Sequence, residues 1–462
     1  MFLLGPVSIL RRAMRDATHT NASLTEGWQP SPDGRGTLDL VYSCFLTIFL
    51  CTWSVLCVNV PAPGDSIAQI FSRKMMFAAL GILGPEFIVQ AALGQWISAN
   101  QSVKLFKTSG HRGWTIKHAF FADMGGFVLH TPDFPPFPVD AKQTHYLVAN
   151  KHIQCPQIAK KDIEDRDKVD FLLRVIVVCQ ISWFVVNCIA RGVQGLALTT
   201  LELSTISFIF CTFGTEVFWL HKAADVQTPI FIYCDVPIST ILQLAGDAAR
   251  EPYNHTPLDF VSRKEWTWTL AWNFLRNKLR LVGVHLRPAA RPMPRIPNDN
   301  WLEVPTPIIY VLIVFDMAYA AIYLSGWNLW FPTHAKRILW RAATLSTMAS
   351  IFLFLVVEAL SSRFAPYRTR CYGLPIRRSS ESRPHHWLPA WLHNIFKWIR
   401  NSSPNRDPIY YVLLKVLLPL SAAAIIYCLA LTYILLECLL AIRRLLASAY
   451  ETVEWSRYWP HY

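Results

Sequence analysis

The sequence predicts an all-α fold, a polytopic transmembrane helical bundle of about seven spans with amphipathic interfacial helices beside it. Three observations carry that expectation. Charged residues make up 16% of the 462 and hydrophobic ones 53%, with a mean hydropathy of +0.27, whereas a soluble domain carries about 25% charge. Apolar runs near 20 residues recur, and about 20 suffice to cross ~30 Å of hydrocarbon. The 18 Trp, 16 Tyr and 27 Phe are a heavy aromatic load, suited to side chains that sit at headgroup level.

Residues 1–37 form a polar amino-terminal segment. Its MFLLGPVSIL start precedes Arg11, Arg12 and Arg15, the reverse of a secretory signal's order, so a surface-lying or disordered lead is expected. Residues 38–97 hold two spans. Leu38–Val60 carries one charge, Asp39, and ends at Pro61-Ala62-Pro63-Gly64. Met75–Ile97 is interrupted by Gly84-Pro85-Glu86, which predicts either a kinked span facing protein or a re-entrant one. Residues 98–169 read as a long polar loop, irregular because of Gly125-Gly126 and prolines 132, 135, 136 and 138.

Residues 170–229 form a central two-span hairpin, Phe171–Ala190 and Leu196–Leu220. Residues 230–307 form a loop with an interfacial helix, whose Trp268, Trp272, Leu275, Leu279 and Val282 share a face beside Arg276, Lys278 and Arg280. Spans Ile308–Leu324 and Ile338–Leu360 occupy 308–360. A basic loop over 361–408 carries a second interfacial pattern at 390–400. The last span, Ile409–Leu440, and a tail fill 409–462.

Seven crossings put the amino terminus and the three long loops on one side, with 33 Lys and Arg against nine on the other. The positive-inside rule then makes the amino terminus cytoplasmic and the carboxyl terminus not. The sequons at Asn21, Asn100, Asn254 and Asn401 fall on that same cytoplasmic side and pull the other way. The expected location is the plasma membrane or an endomembrane. The expected partner is the lipid bilayer, with anionic lipid at the basic loops and no nucleic acid. Eight of eleven cysteines lie in apolar runs and read as small hydrophobes.

An ionisable side chain inside a span costs roughly 2.5–3.5 kcal/mol on insertion scales, which makes it a functional candidate. Glu86 and Asp316 lie deepest, and Asp316 shares a face with Tyr319 and Tyr323. Glu358 and Lys415 stand in the last two spans. Within the hairpin Gln180, Asn187, Arg191 and Gln194 form one stripe, and Glu202, Thr205, Thr212 and Glu216 another, with Arg191 as the expected partner of Glu202. The competing reading of each is interhelical packing or a span-end contact with headgroups. His111/His118 and His145/His152 are seven apart, too far for one metal ion unless the loop folds back. HExxH, GxGxxG, Walker and GxSxG motifs are absent from the sequence. No catalytic residue, metal or cofactor is assigned.

The pattern Gln180-x-x-Trp183-Phe184, the connector Arg191 and Leu201-Glu202-Leu203, with the Gly84-Pro85-Glu86 run and GWTIKHAFFADMGGFVL, resembles a large group of multi-pass membrane proteins of filamentous fungi. The likeness is close over roughly 74–229 and loose beyond. It implies a fungal origin and a membrane location, and brings no activity, cofactor or catalytic residue. The leading expectation is a non-enzymatic transporter or channel component. A scaffold or sensor whose loops bind partners or lipid is the second, and a membrane enzyme with a loop metal site the third.

Overall fold

Long apolar runs satisfy their backbone groups most cheaply as helices, and 13 α-helices dominate the described residues. A computed structural model describes residues 25–31, 34–167, 171–250, 253, 255–262, 275, 291–299, 302, 304–363, 391 and 414–458. Both interfacial-helix expectations, and the sequons at Asn21, Asn254 and Asn401, fall outside or almost wholly outside these residues.

After a short strand β1 (Thr25–Glu26) comes α1 (Thr37–Phe49), prolonged by a π-helical turn to Ser54. Gly36 N donates to Asp39 Oδ2 at 3.0 Å, tying off an N-terminal amide that has no partner within the helix. Helices α2 (Ile67–Leu83) and α3 (Pro85–Thr108) follow, then α4 (Ile116–Asp123), strands β2 (Phe127–Thr131) and β3 (Phe134–Val139), α5 (Ala141–Ala149) and α6 (Lys160–Glu164). The hairpin is α7 (Phe171–Val193) and α8 (Thr200–Trp219). Strand β4 (Ile230–Tyr233) and the short α9 (Ile238–Ala245) and α10 (Asp259–Ser262) precede α11 (Thr306–Ser325), α12 (His334–Arg363), α13 (Leu414–Ala441) and strand β5 (Leu445–Leu446). Among the described residues six helices are long and apolar enough to cross a membrane: α1, α7, α8, α11, α12 and α13.

The second expected span is not straight. Gly84 ends α2, Pro85 starts α3 because its missing N–H is no loss in a first turn, and the two axes differ by 114°. Contacts fix where the two arms lead. On α2, Lys74 pairs with Asp225 at 2.7 Å, just past the end of α8. On α3, Gln95 Oε1 accepts from Trp219 Nε1 at 3.0 Å and from Lys222 Nζ at 2.8 Å. Both arms therefore reach the same end of the bundle, and the break lies between, against Tyr427 midway along α13. The bend is the one expected at Gly84-Pro85-Glu86, as a broken span or a re-entrant pair.

At the opposite end the chain closes on itself. Thr25 and Glu26 pair antiparallel with Leu446 and Leu445, and Arg35 N donates to Tyr450 O at 3.2 Å. The flank before α1 and the flank after α13 thus lie together. By length and composition the described helices allow six spans, or seven if the bent α2–α3 pair counts as one.

The helical class holds for most of the described residues, but the long polar loop is ordered and adds strands to it. Strands β3, β2 and β4 form a three-stranded sheet in that order, with β2–β3 antiparallel and β2–β4 parallel. Prolines 135, 136 and 138 are tolerated because β3 is an edge strand. Phe127 and Phe137 are fully buried on this sheet, and Trp114 stacks on Phe106 of α3 at 4.0 Å. Residues 98–167 and 230–250 thereby form one folded body at the end where α2 and α3 emerge.

Candidate functional site

Two polar groups are embedded among the long helices. The first sits at the α2–α3 break. Pro85 and the first turn of α3 place Glu86 at a helix N-terminus, where a carboxylate is favoured. Glu86 is 1% exposed and accepts a hydrogen bond from the Tyr427 hydroxyl of α13. One turn on, Gln90 Nε2 donates to Asp316 Oδ2 of α11 at 3.0 Å, and Asp316 is 0% exposed. The two carboxylates are near enough for their charges to interact, and among the described residues no Lys, Arg or His acts on either. Glu86 Oε2, Gln90 Oε1, Asp316 Oδ1 and the hydroxyls of Tyr319 and Tyr323 are buried without a hydrogen-bond partner. Orphaned oxygens of this kind cost free energy unless water, a proton or a cation meets them.

The second group is at the end where β1 and β5 pair. Glu202, 1% exposed, lies 2.6 Å from Arg35 Nη2 and 3.8 Å from Arg191 Nε. Its other oxygen accepts from Thr199 N at 2.9 Å and Thr199 Oγ1 at 3.0 Å. Arg191 donates to the carbonyls of Glu451 at 2.7 Å, Ala449 at 2.9 Å, Ala197 at 3.0 Å and Ser448 at 3.1 Å. A cavity of about 550 Å³ opens between α1 and α7, lined by Arg35, Asp39, Gln180, Asn187, Arg191 and Glu202 among others. Trp183 and Trp455, stacked at 5.0 Å, also line it.

A third set lies in the folded body outside the long helices. Burial, reinforced by the Asp140 carboxylate, pushes Asp123 up to about 7. Burial pushes Lys222 down to about 8 while Asn59 and Gln95 accept from its Nζ.

The chain belongs to a family of unknown function, DUF8562, whose model matches residues 8–245. No curated protein and no solved structure matches it. Glu86, Gln180, Asn187, Arg191 and Glu202 fall inside the matched stretch, and Asp316 and Tyr427 beyond it. Each polar group therefore joins family-matched helices to the rest of the chain.

The sequence candidates divide accordingly. Glu86 and Asp316 come together through Gln90. Gln180, Asn187, Arg191 and Glu202 meet around one cavity, although Gln180 is exposed and not packed into a seam. The side chains of Glu358 and Lys415, in α12 and α13, lie outside the described residues. Histidine 118 is spent locally: its Nδ1 lies 2.7 Å from Thr115 Oγ1 and its Nε2 2.9 Å from Ile158 O. Among the described residues no three His, Cys, Asp or Glu gather as metal ligands. Sequence reasoning missed Gln90, Tyr427, Arg35 and Asp39. Gln90 was findable, being one helical turn from Glu86, whereas Tyr427 and Arg35 arrive from more distant chain.

Proposed function

We propose that this chain is a multi-pass integral membrane protein that crosses the bilayer six times and passes a proton or small monovalent cation through the Glu86–Asp316 pair. The carrying observation is the pair itself: two fully buried carboxylates beside a helix break, with no basic side chain among the described residues acting on either. In low dielectric their charge must be met by something other than the protein. A proton or a cation held by the unpartnered oxygens does that, and its arrival and departure is transport chemistry. Broken helices lining an ion site are a recurring device of membrane transporters.

The membrane reading rests on the six apolar helices and on the sequence likeness to fungal multi-pass proteins. With six crossings, the three long loops plus Arg73 and Lys74 hold 31 Lys and Arg and the opposite end 11. The positive-inside rule then assigns the long loops to the cytoplasm and both chain flanks to the other side.

The test is flux in proteoliposomes. With the purified protein, an imposed H⁺, Na⁺ or K⁺ gradient is expected to dissipate faster than in empty vesicles. Glu86→Gln and Asp316→Asn, which keep shape and hydrogen-bonding capacity, are each expected to lower that rate at least tenfold. Wild-type flux no greater than that of empty vesicles for all three ions would sink the reading.

A further inference from the structure

We propose that the cavity between α1 and α7 holds the headgroup of one zwitterionic phospholipid, its phosphate at Arg35 and its ammonium at Asp39. This inference rests on the membrane reading above but not on the carboxylate pair. At about 550 Å³ the cavity is of small-molecule size.

Its charges are arranged in two tiers. The inner tier is Arg35, Glu202 and Arg191, two cations around one carboxylate, so it carries net positive charge. Arg191 is committed to four backbone carbonyls, while Arg35 keeps Nη1 without a partner. The outer tier is Asp39, one helical turn along α1 and exposed. Asp39 also accepts from Gly36 N and Arg35 also pairs with Glu202, yet the two tiers keep opposite net charge, positive inside and negative outside. An anionic headgroup would be repelled by Asp39 and a cationic one by Arg35, and a zwitterion complements both.

Depth argues for a lipid. The cavity runs from Arg191 to Gln180, eleven residues along α7, or roughly 16 Å at 1.5 Å per residue. Gln180 and Asn187 make no side-chain hydrogen bond among the described residues, and their amide N–H groups can donate to the ester carbonyls below a phosphate. One turn beyond Gln180, on the same face of α7, the flank is apolar and exposed, with Ile176 at 55%. Acyl chains can lie along such a flank.

Native mass spectrometry of the full chain in detergent tests the assignment, with dioleoyl phosphatidylethanolamine, phosphatidylcholine and phosphatidylglycerol as probes. One zwitterionic lipid is expected to stay bound, at least tenfold tighter than phosphatidylglycerol. Asp39→Asn is expected to erase that preference, and Arg35→Gln to weaken all three lipids at least tenfold. Should Arg35→Gln fail to fold, Asn187→Leu, on the open side of the cavity, is expected to weaken zwitterionic lipid several-fold without lowering the melting temperature. Equal retention of phosphatidylglycerol by wild type, or an unchanged preference in Asp39→Asn, would overturn the proposal. So would displacement of the lipid by millimolar glycerophosphoethanolamine, which would make a soluble zwitterion the ligand. Loss of flux in the carboxylate variants reads the other group, so each idea can fail alone.

Discussion

Asp123 is a buried carboxyl that accepts from Ala141 N at 3.0 Å and leaves Oδ2 unpartnered, and its neighbour Asp140 caps α5. Its pKa in the fold, about 7, stands above the ordinary 3.8, so the folded state holds a proton that the unfolded chain has released. Stability from this group is full below about pH 4 and drains away as pH rises towards 7. Lys222 has the opposite displacement, from 10.5 down to about 8, and its contribution is lost as pH falls through 8. Thermal denaturation of Asp123→Asn should therefore show a flatter profile between pH 4 and 7, with a melting temperature at pH 8 several degrees above wild type. A profile unchanged from wild type would remove Asp123 as the source. None of this was legible in the sequence, where Asp123 sits in what reads as polar loop.

Elements were legible to the extent that their causes are local. Runs of about 20 apolar residues mark α1, α7, α8, α11, α12 and α13, because hydrocarbon thickness sets a length that a sequence can display. Gly84-Pro85-Glu86 marks a break because proline cannot donate and glutamate is costly in lipid, but the direction of α3 depends on Trp219, Lys222 and Tyr427. The sheet was hidden for another reason. Four prolines and a Gly-Gly pair look like disruption until β4, about 100 residues on, supplies the partner for β2. Glycine 125, at φ +85°, turns the chain out of α4. At Gly126 a Cβ would lie 2.5 Å from the Phe121 carbonyl oxygen and 2.4 Å from its ring, and Gly126 O accepts from Ile230 N at 2.7 Å. Gly126→Ala must push the sheet from α4 and should cost about 1–3 kcal/mol, read as a lower melting temperature and faster proteolysis of residues 98–169. Wild-type values for both would show that the sheet can shift freely.

For the molecule as a whole, the six-crossing arrangement makes a prediction opposite to that of seven. On the proposed six crossings both flanks would lie on the non-cytoplasmic side, so the Asn21 sequon becomes available for glycosylation while Asn254 and Asn401 do not. Expression in microsomes should give one glycan, removed by Asn21→Gln. Modification of Asn254 or Asn401 would invert the assignment. The intramembrane candidates Glu86, Asp316, Arg191 and Glu202 stood out in the sequence because charge in an apolar run is conspicuous. Arg35 did not, since an arginine ahead of a span is ordinary until a carboxylate comes to meet it.

The pairing of β1 with β5 has a consequence for biogenesis. Helices α7 and α8 are made well before residues 448–451, three of whose carbonyls accept from Arg191. Until those residues leave the ribosome, Arg191 has only the Ala197 carbonyl and the Glu202 carboxylate to meet it.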